Sequence, residues 1–366
     1  MKKYLALLIV IILSIGILTA CQPKAQVPMQ DTNKPAANEP NKADSMEKQM
    51  GAMPQYYIYT ANEDEASVSI INMATMKVEN TIPVGMGPHN VQVTPDGKFT
   101  FVVEGKSNTI SAIDTTTGKV VNTIKVGEGA SHIVFSPDSK TAYVTVAEMP
   151  VVEGGDMNMA GDLINGNLYV IDIQKGNITA KIPVGKMPHG LRISPDNKYV
   201  FVANTETDDV SVIDVAANSV VSTIKAGNGP VQPAFTPDGK YVFVTLSQDN
   251  SVAVIDMLNM SNMTVIKTIP VGKYPIQLYS TPDSKSIYVA NTESDDVSVI
   301  DVASMTVKAT IAAGDKAHGV AISKDGKYVF VTNTGASNVT IFDTMDNSIV
   351  DTVPVGKSPN GITIKE

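Results

Sequence analysis

The amino-acid sequence predicts an all-β fold: a seven-bladed β-propeller of four-stranded blades, closed by pairing of the N- and C-terminal strands in one blade. Three observations support this prediction. One pattern recurs about every 42 residues, each copy holds four short apolar stretches, and the two chain ends together complete one copy.

Two features recur in the repeat: a Pro-Asp turn and a strand that ends with Asp. The turn recurs at Pro95, Pro137, Pro195, Pro237 and Pro282, with a degenerate copy at residues 323–326. Proline presets its own φ, so the turn suits the link between the first two strands of a copy. The residue that ends this strand occurs once in each copy, and there are seven such residues: Asn72, Asp114, Asp172, Asp214, Asp256, Asp301 and Asp343.

The copy that starts at Pro88 illustrates the four strands. Each stretch alternates in polarity or is rich in Val and Ile, as expected of half-buried or sandwiched strands. The predicted strands are residues 90–94, 99–103, 109–114 and 120–126.

Closure of the ring is predicted from the chain ends. Residues 55–60 match the second strand of a copy, so the first blade lacks its innermost strand. Residues 359–364 match that missing strand. Pairing of the two ends would complete one blade and remove an exposed sheet edge.

The chain divides into three predicted parts. Residues 1–20 are interpreted as a lipoprotein signal peptide, because two lysines precede an apolar run that ends in Leu-Thr-Ala before Cys21, which resembles a bacterial lipobox. Residues 21–54 are interpreted as the lipidated cysteine and a disordered tether, since they lack an apolar period. Residues 55–366 form the propeller, with an insertion at residues 147–166.

These segments predict an exported protein that a lipid anchors to the cell envelope. Gln22 follows the cysteine in place of an inner-membrane-retaining Asp, which favours the outer membrane or the cell surface. The alternative for Cys21 is a free core cysteine that follows an ordinary membrane anchor. A net charge of -9 disfavours nucleic acid as a partner. We expect a monomer.

The second strands carry a recognisable signature, Tyr199 to Asn204 (YVFVAN), Tyr288 to Thr292 (YVANT) and Phe330 to Thr334 (FVTNT). With these strands, residues 55–366 resemble the YVTN β-propeller repeat family. The resemblance implies a seven-bladed, exported or surface-exposed propeller. It implies no single activity, because propellers host binding modules and enzymes alike.

One face, here called the top face, collects the loops between blades and those between second and third strands. These loops are strongly acidic, which favours a protein or cationic partner. The alternative is that the acidic loops only keep the protein soluble. The predicted partner-binding residues are Glu148, Glu153, Asp156, Met157, Met159, Asp208, Asp209, Asp295 and Asp296.

All four histidines map to the top face near the axis. His89, His189 and His318 share one repeat position, and His132 lies one position further on. Imidazole is a common ligand of copper and zinc, so a metal site is one prediction. Four methionines could assist: Met86, Met187, Met157 and Met159.

A structural role is the alternative for these histidines, in which they hydrogen-bond backbone between neighbouring blades. The offset of His132 argues against its being a ligand, because neighbouring residues of a strand point in opposite directions. The sequence therefore predicts a binding or scaffolding module that acts through the acidic top face, with a copper or zinc protein as the alternative.

Catalysis receives little support from the sequence. The chain lacks G-x-S-x-G, G-x-x-x-x-G-K-[ST], H-E-x-x-H and C-x-x-C motifs. A second alternative is a lactonase- or lyase-like enzyme that uses a divalent ion, built from His89, His189, His318, Glu104 and Glu148. On balance, we expect a protein without enzymatic activity.

Overall fold

A computed structural model of the chain describes residues 55–148, 164–258, 260 and 262–366. In these residues, 28 strands form seven antiparallel sheets of four strands each. Each sheet is one blade of a β-propeller, which confirms the predicted fold class. The tether, the signal peptide and residues 149–163 of the insertion lie outside the described residues.

Four sets of strands repeat around the ring. The innermost strands of the seven blades are β4 (Pro88–Val93), β8 (Ala130–Phe135), β12 (Pro188–Ile193), β16 (Pro230–Phe235), β20 (Pro275–Ser280), β24 (Ala317–Ile322) and β28 (Pro359–Lys365). The second strands are β1 (Tyr57–Asn62), β5 (Phe99–Glu104), β9 (Thr141–Val146), β13 (Tyr199–Asn204), β17 (Tyr241–Leu246), β21 (Ser286–Asn291) and β25 (Tyr328–Asn333).

The remaining strands lie further from the axis. The third strands are β2 (Ser67–Asn72), β6 (Thr109–Asp114), β10 (Asn165–Asp172), β14 (Asp209–Asp214), β18 (Ser251–Asp256), β22 (Asp296–Asp301) and β26 (Asn338–Asp343). The outermost strands are β3 (Lys77–Pro83), β7 (Lys119–Lys125), β11 (Asn177–Lys186), β15 (Ser219–Lys225), β19 (Val265–Pro270), β23 (Thr306–Ala312) and β27 (Ile349–Pro354).

Closure follows the predicted scheme. Strand β28 pairs with β1, and Ile58 lies opposite Ile364 in that ladder. Blade 1 is therefore β28-β1-β2-β3, with its innermost strand from the C-terminal end of the chain. The edge that β1 would otherwise expose is paired, which locks the ring.

The core lies between blades rather than inside any one of them. Second and third strands are buried along almost their whole length, for example β13 and β14. Both faces of these strands pack on a neighbouring blade, which explains their runs of Val and Ile. Between blades 1 and 7, Ile58 and Ile71 pack with Phe330 and Ile341.

The YVTN signature has a structural role. Thr145, Thr245 and Thr332 donate hydrogen bonds to backbone carbonyls of the next blade, at His189, Ile276 and Asn360. The asparagine that follows, for example Asn204, donates to the third strand of its own blade. The threonine of the signature therefore stabilises the packing of one blade on the next, and the asparagine stabilises the pairing of strands within a blade.

Every innermost strand contains a β-bulge near the top face. In blade 3, Ala130 pairs with Val146 and Ile133 with Val144. The pairing thus advances by three residues on β8 and by two residues on β9, which leaves one extra residue on β8. The same register shift occurs in the other six blades. A bulge interrupts the alternation of side chains and re-aims them.

The Pro-Asp turns lie on the opposite, bottom face. Gly97 has φ 71°, as the turn at Pro95 requires. Asp96 accepts the hydroxyl of Thr94 and forms an ion pair with Lys98 at 3.1 Å. Equivalent pairs form at four other turns, so much of the positive charge of the bottom face is balanced locally.

Candidate metal site at the channel mouth

Three histidines from consecutive innermost strands meet at the top of the axial channel. His89, His132 and His189 each offer a ring nitrogen, and these three atoms lie within 4.8 Å of one another. We call these residues the histidine cluster. Strands β4, β8 and β12 belong to blades 2, 3 and 4, so the packing of consecutive blades brings together residues that are distant in sequence.

The one-position offset of His132 does not separate it from the other two. Its ring centroid lies 4.4 Å from that of His189 and 5.2 Å from that of His89. The expectation that this side chain points away from them was wrong because it assumed regular alternation. The bulge in each innermost strand removes that alternation at this level of the channel.

His89 and His189 make the closest contact in the cluster. Their Nε2 atoms are 3.3 Å apart, and their rings meet edge to face with an interplanar angle of 86°. The backbone of His189 is held by the hydroxyl of Thr145, which donates to its carbonyl oxygen at 2.6 Å.

His132 is the most deeply buried member, with 1% of its surface exposed. Its Nδ1 lies 2.9 Å from the hydroxyl of Ser131. Its Nε2 is buried without a hydrogen-bond partner among the described residues. A buried polar atom without a partner lowers the stability of the fold, so a ligand at this nitrogen would be stabilising.

The second nitrogen of His89 is held by residues of blade 1. Asn360 Nδ2 lies 3.0 Å from His89 Nδ1, and Glu63 Oε2 lies 3.6 Å from the same atom. Asn360 also donates to Glu63 Oε2 at 2.9 Å. This contact fixes the ring so that Nε2 faces the cluster.

Electrostatics keep these groups in a defined charge state. The imidazole of His89, whose Nδ1 lies 3.6 Å from Glu63 Oε2, lowers the pKa of Glu63 to about 2, and the hydrogen bond from Asn360 adds to the effect. Burial lowers the pKa of His132 well below its ordinary value, and the other histidines add to the effect. Burial likewise lowers the pKa of His189 and His318 to about 3. These three imidazoles are therefore neutral at neutral pH.

His318 lies close to the cluster but is not part of it. It contributes to the lowered pKa of both His132 and His189, which places it in the same channel. Its Nδ1 is buried without a hydrogen-bond partner in the described part of the chain. Of the four predicted histidine ligands, the structure brings three together.

An upper cavity of about 310 Å³ opens above the cluster. Met187, Lys106 and Glu206 line it, together with Glu63 and two of the histidines. Met86 is 61% exposed. Met157 and Met159 lie outside the described residues. A ligand held by the cluster would therefore keep one side open to solvent, next to a thioether and two carboxylates.

The acidic residues of the top face have partners within the fold. Asp208 accepts the backbone N–H of Gly229 at 3.0 Å, and Asp295 accepts that of Lys316 at 2.8 Å. Both bonds tie a loop within one blade to the loop that enters the next blade. Repeated acidic residues therefore join neighbouring blades.

Other predicted partner-binding residues are also engaged. Asp209 and Asp296 accept the side chains of Asn204 and Asn291 in their own blades. Glu148 accepts the hydroxyl of Tyr169. Glu153 and Asp156 lie outside the described residues. A docking role for this face stays a prediction.

Two features of the channel were not predicted from the sequence. One is the contact of Glu63 and Asn360 with His89, which the predicted pairing of the chain ends could have indicated. The other is Arg192, whose side chain enters the channel below the histidines. It is the only arginine of the chain, and this singularity could have marked it as a residue of interest in the sequence.

The chain belongs to the YNCE-like beta-propeller family, whose family model matches residues 45–153 and 164–317. This family is of the YVTN kind that the repeat resembles. The uncharacterized protein YwhL of Bacillus subtilis (strain 168) is 42% identical over 55 residues. That stretch covers 15% of this chain and 12% of the length of YwhL.

Solved structures share the fold. A functionally unknown protein from Desulfotomaculum acetoxidans DSM 771 has a TM-score of 0.71 at 18% identity, with 85% of this chain and 99% of that chain covered. Kuenenia stuttgartiensis hydrazine synthase has a TM-score of 0.66 at 23% identity, with 80% and 97% covered. At these identities the likeness concerns the fold alone. No helix among the described residues is long and apolar enough to cross a membrane.

Proposed function

We propose that this protein binds a transition metal ion, zinc or copper, at His89, His132 and His189. The distance between His89 Nε2 and His189 Nε2 carries the proposal. Two nitrogens that each lie about 2.0 Å from one tetrahedral ion are about 3.3 Å apart. The two atoms are 3.3 Å apart in the structure.

The chemistry of the donors supports the same conclusion. A metal competes with protons for imidazole, and the lowered pKa of His132 and His189 removes that competition at neutral pH. The carboxylate of Glu63, 3.6 Å from His89 Nδ1, resembles the outer partners that orient ligating histidines. Three protein ligands and an open side are typical of a site that accepts an exogenous ligand.

A metal-free explanation exists for the closest contact. One neutral imidazole could donate from Nε2 to the other, and the pair would then be a plain hydrogen bond. That explanation leaves His132 Nε2 buried and without a partner among the described residues. A metal ion that also bound His132 would satisfy this nitrogen, and so we prefer the metal.

Metal analysis of protein purified without chelator tests the proposal. We expect close to one equivalent of zinc or copper, and a thermal shift when the chelated protein receives that ion. His132→Ala and His189→Ala should each lose both. His318→Gln is the matched control, because His318 is buried in the same channel, and it should retain the metal.

The result that would overturn the proposal is also defined. Less than a tenth of an equivalent, with no thermal shift from added zinc or copper, would leave the three histidines as packing residues. Equal metal contents in His132→Ala and His318→Gln would place the ion elsewhere. Replacement of Met187 by Leu separates the two metals, since thioether ligation favours Cu(I) over zinc.

We further propose that Cys21 is acylated after removal of residues 1–20, so that the propeller is displayed outside the cytoplasm. The sequence Leu-Thr-Ala-Cys supports this anchor. Mass spectrometry of the N-terminal peptide should detect the lipid, and Cys21→Ser should release the protein from membranes. Fractionation that is unchanged by this substitution would contradict the anchor.

Capture of a cationic partner by the top face is a third proposal. Its support is that Glu63 and Glu206 line the upper cavity beside the cluster, where a basic group would approach. A lactonase- or lyase-like activity would use the same metal and the same cavity. Turnover of a lactone panel that is lost in His189→Ala would support it.

A further inference from the structure

The loop between the third and fourth strands of blade 5 is longer than its counterparts. Ile269 of β19 pairs with Val252 of β18, which lies 17 residues earlier. In blade 2, Ile124 pairs with Ile110, which lies 14 residues earlier, and the same spacing holds in the other five blades. The loop at residues 257–264 therefore carries three extra residues.

This loop has a methionine at every third position, Met257, Met260 and Met263. We call these residues the loop methionines. Met257 and Met263 are 9% and 8% exposed and belong to one hydrophobic cluster between blades 4 and 5. The backbone N–H of Met257 donates to the carbonyl of Lys240 at 2.9 Å, which fixes the start of the loop on the second strand of its blade. Met260 lies in the middle of the loop and is 36% exposed.

A cavity of about 420 Å³ lies between the loop and the Pro-Asp turns of blades 4 and 5, on the bottom face. Met257 and Met260 both line it, and the rings of Tyr199 and Phe235 form part of its wall. Met263 packs in the same hydrophobic cluster as Met257. Two thioether side chains therefore share one space, and the third packs in the group of side chains that holds one of them.

Packing explains two of the loop methionines but not the third. Methionine fills irregular gaps in cores, and blade 1 uses it in this way: Met73 and Met76 occupy the positions of Met257 and Met263 and pack in a hydrophobic cluster. Blade 1 has no extra residues in this loop and no third methionine there. Met260 is specific to the longer loop, where it lines a cavity instead of filling a core.

The oxygen donors of the same cavity are already engaged. Asp196 accepts the hydroxyl of Ser194 at 2.6 Å and forms an ion pair with Lys198 at 3.4 Å. Asp238 forms an ion pair with Lys240 at 3.0 Å. The thioethers are therefore the donors that remain for a ligand. Thioether sulfur is a soft ligand, which selects Cu(I) over hard cations such as calcium and magnesium.

We propose that the loop methionines bind one Cu(I) ion in this cavity. Met260 supplies a sulfur next to solvent, where an ion would arrive, and Met257 and Met263 supply sulfurs from the buried base of the loop. The site is independent of the histidine cluster, because it lies on the opposite face and has sulfur rather than nitrogen donors. Binding of Cu(I) involves no electron transfer, since the ion enters in its reduced state.

NMR of the chelator-treated full chain, with its methionine methyl groups labelled with carbon-13, tests the proposal residue by residue. The probe is Ag(I), a soft ion that is stable in air, in buffer without chloride. We expect saturable shifts of the methyl signals of Met257, Met260 and Met263, each assigned by its own Met→Leu substitution. Cu(I) added without oxygen should shift the same three signals, and zinc should shift none of them.

One substitution tests the role of the exposed ligand. Met260→Leu nearly conserves volume, so the variant should fold with an unchanged Tm. It should weaken Ag(I) binding, followed at the signals of Met257 and Met263, by at least about tenfold, because one of three soft ligands is lost. Met345→Leu is the matched control. Met345 is the 92% exposed methionine of the corresponding loop in blade 7, and its variant should bind like the native chain.

Three outcomes would overturn the proposal. Absence of saturable shifts at the three signals in the native chain would make the loop methionines packing residues. Equal affinities in Met260→Leu and Met345→Leu would remove Met260 from the site. Tight binding of the soft ion that persists in Met260→Leu and is lost in His132→Ala would place the ion in the histidine cluster instead.

Discussion

His89 Nε2 and His189 Nε2 lie 3.3 Å apart, although 100 residues separate the two histidines in the sequence. The two side chains come from blades 2 and 4, with His132 of blade 3 between them. The packing of consecutive blades brings these three innermost strands together. The candidate metal site therefore depends on how each blade packs on the next.

The contact between Glu63 and His89 should tune metal affinity. Loss of an outer partner of a ligating histidine costs about 10- to 100-fold in affinity. Glu63→Gln should therefore weaken zinc or copper binding by that factor at unchanged stoichiometry, measured by competition with a chelating dye. Asp64→Asn is the control, because Asp64 binds Ser358 and Lys106 instead of a histidine. Equal affinities in the two variants would argue against the role of Glu63.

Acid should destabilise the metal-free protein through its buried histidines. The pKa of His318 falls from 6.5 to about 3 on folding, so between these values the unfolded chain binds more protons than the folded chain. Stability is therefore full above pH 6.5 and falls as the pH falls toward 3, by about 1.4 kcal/mol per pH unit for each such group. His189 acts in the same direction.

Urea unfolding at pH 7, 5.5 and 4.5 in the presence of chelator measures this dependence. In His318→Gln, the slope of the unfolding free energy against pH should decrease by about 1.4 kcal/mol per pH unit within the window. An unchanged slope would mean that His318 is not held neutral by burial.

Asp295 should be more important for stability than its exposed position suggests. It has φ 55° and accepts the backbone N–H of Lys316 at 2.8 Å. Asp295→Ala loses the acceptor and strains the backbone, and we expect a loss of about 1–3 kcal/mol in unfolding free energy. Asp295→Asn keeps an acceptor and tolerates this φ, so its stability should stay close to that of the native chain. Equal losses in both variants would point to charge rather than to the hydrogen bond.

The same substitution isolates the docking role of the top face. The double variant Asp208→Asn and Asp295→Asn removes two negative charges and retains two hydrogen-bond acceptors. If the face captures a cationic partner, binding of a lysine-rich peptide should weaken while Tm stays nearly constant. Unaltered peptide binding would mean that these carboxylates serve only as hydrogen-bond acceptors within the fold.

Removal of the C-terminal strand should open the ring. A chain that ends at Ser358 lacks β28, so β1 becomes an exposed edge and the core between blades 1 and 7 loses Ile362. We expect loss of cooperative unfolding and aggregation, measured by calorimetry and light scattering. A chain that ends at Ile364 keeps the ladder from Pro359 to Ile364 and should fold normally. Cooperative unfolding of both truncated chains would contradict a stabilising role for closure.

The sequence by itself determined the repeat, the number of blades and the pairing of the chain ends. The repeat and the number of blades follow from the periodicity of the sequence. The pairing of the chain ends follows from the match of residues 359–364 to the strand that the first copy lacks. The turn residues and the alternating strands needed no distant partner to be recognised. The position of His89, His189 and His318 near the axis also followed from the repeat.

Only the tertiary structure decided which side chains meet. His132 was expected to point away, and a bulge that depends on pairing between β8 and β9 turns it into the cluster. Asn360 reaches His89 because the chain ends pair in blade 1, and Arg192 contacts Tyr279 across the channel. These contacts join residues from different blades, so their distances depend on ring geometry, which no local stretch of sequence encodes.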